Sequence, residues 1–141
     1  MNSRIETRIG VRATSDQIWE VLADLETWSR WNPYESVDGR LVFKAPLLVS
    51  ERFPGQPERV GQAVLADWTP LNRLVWGEKR GWMFSAIRYF EIDQLEPGSC
   101  VFATGVDYSG LRGELFHDKH RPTLRAALNE MGEGMKRLVE G

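Results

Sequence analysis

The pattern of apolar and polar positions changes period twice along the chain. From Arg4 to Arg12, Ile5, Thr7, Ile9 and Val11 alternate with Arg4, Glu6, Arg8 and Arg12, the period-two pattern of a half-buried strand. Thr14, Ser15 and Asp16 then offer helix caps, and Ile18, Trp19, Leu22 and Leu25 recur at helical spacing. A second short helix is expected over Glu26 to Trp31, broken at Asn32 because the residue before Pro33 is pushed out of the helical region. From Tyr34 to about residue 115 no helical period survives. The pattern there predicts six strands: Ser36 to Leu41, Phe43 to Phe53, Val60 to Trp68, Arg73 to Lys79, Phe84 to Leu95 and Cys100 to Tyr108. Their separators are short and rich in turn residues, as in Pro54-Gly55-Gln56-Pro57 and Glu96-Pro97-Gly98-Ser99. Such connections are too short for parallel crossovers, so an antiparallel meander follows.

Near the C-terminus the helical period returns. Leu124, Leu128, Met131, Met135 and Leu138 share one face, with Arg125, Glu130, Glu133, Lys136 and Arg137 mostly opposite, which predicts one long amphipathic helix. Pro122 is expected to kink or restart it near its beginning. Gly132 and Gly134 each weaken it by about 1 kcal/mol relative to Ala, so packing must hold it in place. A lone helix and a seven-stranded sheet each have one apolar face to bury, and a curved sheet wrapped around the helix buries both.

Length and composition narrow the partners. The 141 residues suit one domain, spanning 1–141 with no linker or low-complexity segment. A formal charge of -2, from 18 basic and 20 acidic residues spread along the chain, leaves no basic run to track phosphates or an anionic bilayer. No nucleic acid partner and no membrane insertion are therefore expected. No stretch approaches the ~20 apolar residues of a membrane span, and Met1 to Gly10 is too charged for a signal peptide, so a cytoplasmic protein is expected. Cys100 is alone and sits in an apolar run, unlike a catalytic thiol. The departure from average is aromatic: six Trp, six Phe and three Tyr exceed what a minimal core of this size needs.

Several motifs carry a resemblance. "WSRWNP" at residues 28–33, "LVW" at Leu74 to Trp76, "RYFEI" at Arg88 to Ile92, "YSGL" at Tyr108 to Leu111 and "ALNEMGEGMKRLVE" at Ala127 to Glu140 look like landmarks of one family. With the element order, they resemble the START-related and polyketide-cyclase (SRPBCC) superfamily, in its bacterial polyketide-cyclase/dehydrase-like branch, over nearly the whole chain from Ile5. The resemblance implies an α+β helix-grip fold: a seven-stranded curved antiparallel sheet around a long C-terminal helix, with two short helices after strand 1. It also implies a pocket between sheet and helix that takes hydrophobic molecules. Two departures stand out, since the branch often has His where this chain has Arg88 and an acid where it has Val106.

The candidate chemistry centres on Arg88. Phe84, Ala86, Arg88, Phe90 and Ile92 share one strand face, and Leu74, Trp76 and Glu78 share the inward face of the strand before. An unpaired buried guanidinium costs several kcal/mol, so Arg88 must find a carboxylate, an aromatic face, water or an anionic ligand group. A three-residue loop at Gly81 to Met83 places Trp76 opposite Arg88, and a five-residue loop places Glu78 there. Arg88 is then either a satisfied structural charge or the anchor of an acidic ligand. The cavity wall is expected from Trp28, Trp31, Trp76, Glu78, Arg88, Phe90, Leu128, Met131 and Met135. Trp28 and Trp31, three apart, share one helical face and are read as a clasp first and a pocket wall second. His117 and His120 around Asp118 lack a second ligand cluster, so a solvated first helical turn is expected in place of a metal, and no cofactor motif is present.

Three functions remain. The leading one is binding of a small hydrophobic molecule, aromatic, acyl or polyketide-like, in the cavity. An enzyme of cyclase, dehydratase or aromatase type needs a titratable group, and no inward His supplies one, so no catalytic residue is assigned. A protein-interaction module of the same fold is the third, with monomer and homodimer both open.

Overall fold

The computed structural model describes residues 3–141. Strand β1 (Arg4–Val11) is followed by helix α1 (Ser15–Ala23), a short 3-10 helix η1 (Leu25–Arg30), strands β2 (Glu35–Gly39), β3 (Pro46–Glu51), β4 (Arg59–Thr69), β5 (Arg73–Gly81), β6 (Phe84–Glu96) and β7 (Ser99–Ser109), and helix α2 (Leu111–Glu140). The strands form one antiparallel sheet in the order β1-β7-β6-β5-β4-β3-β2. It curls around α2, whose buried face carries Leu124, Ala127, Leu128, Met131 and Met135. No described helix is long and apolar enough to cross a membrane.

Local chemistry accounts for the element ends. Thr14 caps α1, its hydroxyl accepting from the Gln17 N–H while the Gln17 side chain accepts from the Thr14 N–H, so two orphan donors are satisfied. At the close of η1, Asn32 replaces helix bonds: its Oδ1 accepts from the N–H groups of Tyr34 and Glu35, each at 3.0 Å.

The strand expected over Phe43 to Phe53 starts only at Pro46, because residues 40–45 turn, with Lys44 at φ 67°. The strand expected from Ser36 to Leu41 is Glu35–Gly39, so it gains an inward carboxylate. Helix α2 begins at Leu111, a turn earlier than its period indicated, and runs through Pro122 without a break.

Gly132 and Gly134 in α2 have a steric reason. A Cβ on Gly134 would strike the Trp31 carbonyl, and one on Gly132 would come 3.2 Å from Ile9 Cγ2. Helix α2 can therefore lie directly on η1 and β1, and packing repays the weak propensity.

Candidate functional site

The interior between sheet and helix divides into an aromatic half and a charged half. Trp28 and Trp31 pack ring to ring at 4.9 Å, and Trp28 also meets Trp76 at 6.0 Å and Phe90 at 5.2 Å. Phe90 and Phe102 continue the cluster. All five rings are fully or almost fully buried, as are Leu128, Met131 and Met135 from α2. Seven of the expected wall residues, Trp28, Trp31, Trp76, Phe90, Leu128, Met131 and Met135, thus lie together as a ring-and-methionine core. Trp28 Nε1 donates to the Leu22 carbonyl at 2.9 Å, which ties the clasp to α1.

Strand parity brings the charges inward. Leu47, Val49 and Glu51 alternate on β3, Arg59, Gly61, Ala63 and Leu65 on β4, and Trp76, Glu78 and Arg80 on β5. Glu35 lies opposite Glu51 across β2 and β3. Two like charges in that position repel, so each needs its own cation. Glu51 takes two, from Arg59 Nη1 at 3.2 Å and Arg80 Nη2 at 2.6 Å. Glu78 receives two bonds from Arg59, at 3.1 and 2.5 Å.

Glu35 is paired across the concave space. Arg88 Nε and Nη2 donate to its two carboxylate oxygens at 2.9 and 2.8 Å, a bidentate fork. Strands β2 and β6 are separated in the sheet by β3, β4 and β5, so only the curl lets these side chains meet. The remaining Arg88 donors go to the Tyr89 carbonyl, the Gly105 carbonyl at 2.7 Å and Met131 Sδ at 3.3 Å. A guanidinium has five N–H groups, and all are engaged. The guanidinium also lies 4.1 Å from the Phe90 ring centroid.

Two expectations about Arg88 are refined. Trp76 does lie opposite it in register, as the three-residue loop required, but the ion-pair partner is Glu35 and the stacked ring is Phe90. Glu78 belongs instead to the Arg59 and Arg80 network. Glu35, Glu51, Arg59 and Arg80 were not singled out from the sequence. The alternation of Leu47, Val49 and Glu51 carried the signal, and so did Trp76, Glu78 and Arg80. Glu35 was hidden because its strand starts one residue earlier than its pattern.

The charged half has a floor of small residues. Ala86 lies between Glu78 and Tyr108 in register, and Gly61 lies opposite Val49. A Cβ at Gly61 would overlap the Glu78 carboxylate, so the ion pair rests on bare backbone. Arg80 stacks near Phe84, Tyr108 and Phe116 at 5.6 to 5.9 Å. Burial pushes the Glu51 carboxyl above the usual carboxylate range, against the pull of Arg80. Burial likewise raises the Tyr108 phenol. The Arg80 Nε, Gln56 Nε2, His117 Nε2 and Thr104 Oγ1 atoms are buried without a hydrogen-bond partner.

His117 corrects the expectation of a solvated turn: it is 8% exposed, with Nδ1 3.0 Å from Asp118 Oδ1. His120 packs on Phe116 at 4.5 Å. No group of three or more His, Cys, Asp or Glu among the described residues could hold a metal ion. Of the uncertain aromatics, Tyr108 is inside, Trp82 stands 76% exposed on the β5–β6 turn, Trp68 stacks on Trp19 at 6.3 Å, and Tyr89 lies buried on the convex face over Gly105.

A sheet curled around a C-terminal helix, two short helices after β1 and a lined concave face together decide the architecture. The fold is a helix-grip. Helix-grip structures similar to this one include a START superfamily protein from Mycobacterium smegmatis, with TM-score 0.71 and 18% identity over 97% of each chain. The di-domain ARO/CYC protein BexL from the BE-7585A biosynthetic pathway gives TM-score 0.71 and 14% identity over 93% of this chain. The present helix-grip chain spans only 45% of BexL. Norcoclaurine synthase from Thalictrum flavum, solved in complex with dopamine and hydroxybenzaldehyde, gives TM-score 0.67 and 14% identity over 99% of this chain and 87% of that one. No protein-family model and no curated protein matches the sequence.

Proposed function

We propose that this helix-grip chain, as one unit over residues 1–141, binds a small and mainly hydrophobic molecule, aromatic, acyl or polyketide-like, between the sheet and α2. The observation that carries this reading is the two-part lining of the concave face. Rings from Trp28, Trp31, Trp76 and Phe90 offer an apolar wall, while Glu78, Glu51, Arg80 and Tyr108 stand over the small floor of Gly61 and Ala86. Ligand sites for small molecules are mostly apolar with a few placed polar groups. The buried Arg80 Nε–H, without a hydrogen-bond partner, is a donor that a ligand oxygen or a water would satisfy. The similar structures include an ARO/CYC protein of a biosynthetic pathway and a synthase solved with dopamine and hydroxybenzaldehyde, which agrees with an aromatic body.

Within this reading Arg88 is a structural charge, since every one of its donors is engaged inside the protein. The test is native mass spectrometry of the purified protein together with solvent extraction of what co-purifies. A recurring small-molecule mass of aromatic or acyl composition is expected, and its binding should quench the buried tryptophan emission. An empty protein that also gives no saturable response to a panel of aromatic and acyl compounds would overturn the reading.

A further inference from the structure

In the charged half, one side chain differs from its neighbours in exposure. The Arg59 side chain is 31% exposed, whereas Glu35, Glu51, Glu78, Arg80 and Arg88 lie between 1 and 8%. Arg59 opens β4, directly after the 52–58 connection, so rotation about its own torsions carries the guanidinium into water. The other five are enclosed by sheet and helix and have no such route.

The charge count gives that rotation a sign. With Arg59 in place, three carboxylates face three guanidiniums and the network is neutral. With Arg59 swung out, one negative charge is left over Glu51 and Glu78. Arg80 stays on Glu51 at 2.6 Å, but its Nε, 3.2 Å from Glu78 Oε1, is angled so that no hydrogen bond forms. Glu78 therefore loses both hydrogen bonds that it receives. A buried carboxylate in that state is strongly disfavoured; a neutral donor returns a hydrogen bond without the missing charge, and an anion adds to the excess. The place that opens is the volume of the Arg59 guanidinium itself, beside the Glu78 carboxylate that rests on the bare backbone of Gly61.

We propose that Arg59 is a resident plug in a cation subsite, and that the ligand carries a protonated amine or a guanidinium that replaces it against Glu51 and Glu78. The inference rests on the reading of the concave face as a ligand site and adds the charge of the ligand. It reverses the anionic ligand that Arg88 invited from sequence.

The probe pair is phenethylammonium and its neutral analogue 2-phenylethanol, titrated by calorimetry into the wild type, Arg59→Ala, Arg59→Met and Arg59→Ala/Glu78→Gln. Arg59→Ala removes the plug and should bind the ammonium roughly ten- to a hundredfold tighter than the alcohol, the range of a hydrogen bond to a charged group. Arg59→Met fills the place without charge and should bind the ammonium more weakly than Arg59→Ala. The double variant should lose the preference. Equal affinity of Arg59→Ala for both probes overturns the charge assignment while leaving the ligand reading standing, and binding of neither probe overturns both. If Arg59→Ala does not fold, the wild type decides the matter: it must still prefer the ammonium over the alcohol, and equal binding overturns the proposal.

Discussion

Replacing Arg88 with Met leaves the Glu35 carboxylate 1% exposed and without its bidentate partner. Asn32 Nδ2, at 3.2 Å, is then its only side-chain hydrogen-bond donor among the described residues. Removing one partner of a buried ion pair costs about 3–5 kcal/mol, because the other charge stays buried and uncompensated. A chain of 141 residues unfolds with an entropy near 0.3 kcal/mol/K, from ~2.1 cal/mol/K per residue, so about 4 kcal/mol lowers the midpoint by roughly 13 °C. The Arg88→Met/Glu35→Gln double variant removes the orphaned charge as well. It should regain at least about 1–3 kcal/mol of the loss, since replacing both partners of a buried pair is often near neutral. Urea denaturation of wild type, both single variants and the double variant measures the coupling directly. A cost below about 1 kcal/mol for Arg88→Met, or a double variant as unstable as the sum of the singles, would refute the ion pair as a structural requirement.

Three further outcomes follow from the packing and the charges. Gly134→Ala gains about 1 kcal/mol of helix propensity, yet its methyl meets the Trp31 carbonyl; thermal unfolding should show net destabilisation, whereas Gly132→Ala, facing only the movable Ile9 side chain, should be nearly neutral. The raised Glu51 carboxyl binds its proton more tightly in the folded than in the unfolded state. Its contribution to stability is therefore fully present below the unfolded value near 4.5 and declines as pH rises through the folded value. Glu51→Gln, which has no such titration, should gain on the wild type in melting temperature between pH 4 and 7, and a constant difference would contradict the burial effect. Trp82, 76% exposed on a turn, should tolerate Ala within about 0.5 kcal/mol in denaturant titration.

The element order was legible because each element has its own period: two in Ile5, Thr7 and Ile9, and 3.6 in Leu124, Leu128, Met131 and Met135. The inward direction of Trp76, Glu78, Arg88 and Phe90 followed from strand alternation, and the shared face of Trp28 and Trp31 from their helical spacing. These are local properties, set by backbone geometry over a few residues. The partner of Arg88 was not local. Glu35 reaches it only because the sheet curls, and curl accumulates from twist over many strands, which no window of sequence contains. The same closure brings Glu51, Arg59, Glu78 and Arg80 into one network and decides which guanidinium is enclosed and which remains at the surface. Sequence alone determined that a charge must be satisfied inside a ring-lined grip. Only the tertiary structure decided that Arg88 is already satisfied and that Arg59 is the most exposed cation of the network, because burial and pairing depend on what the folded chain places across the interior.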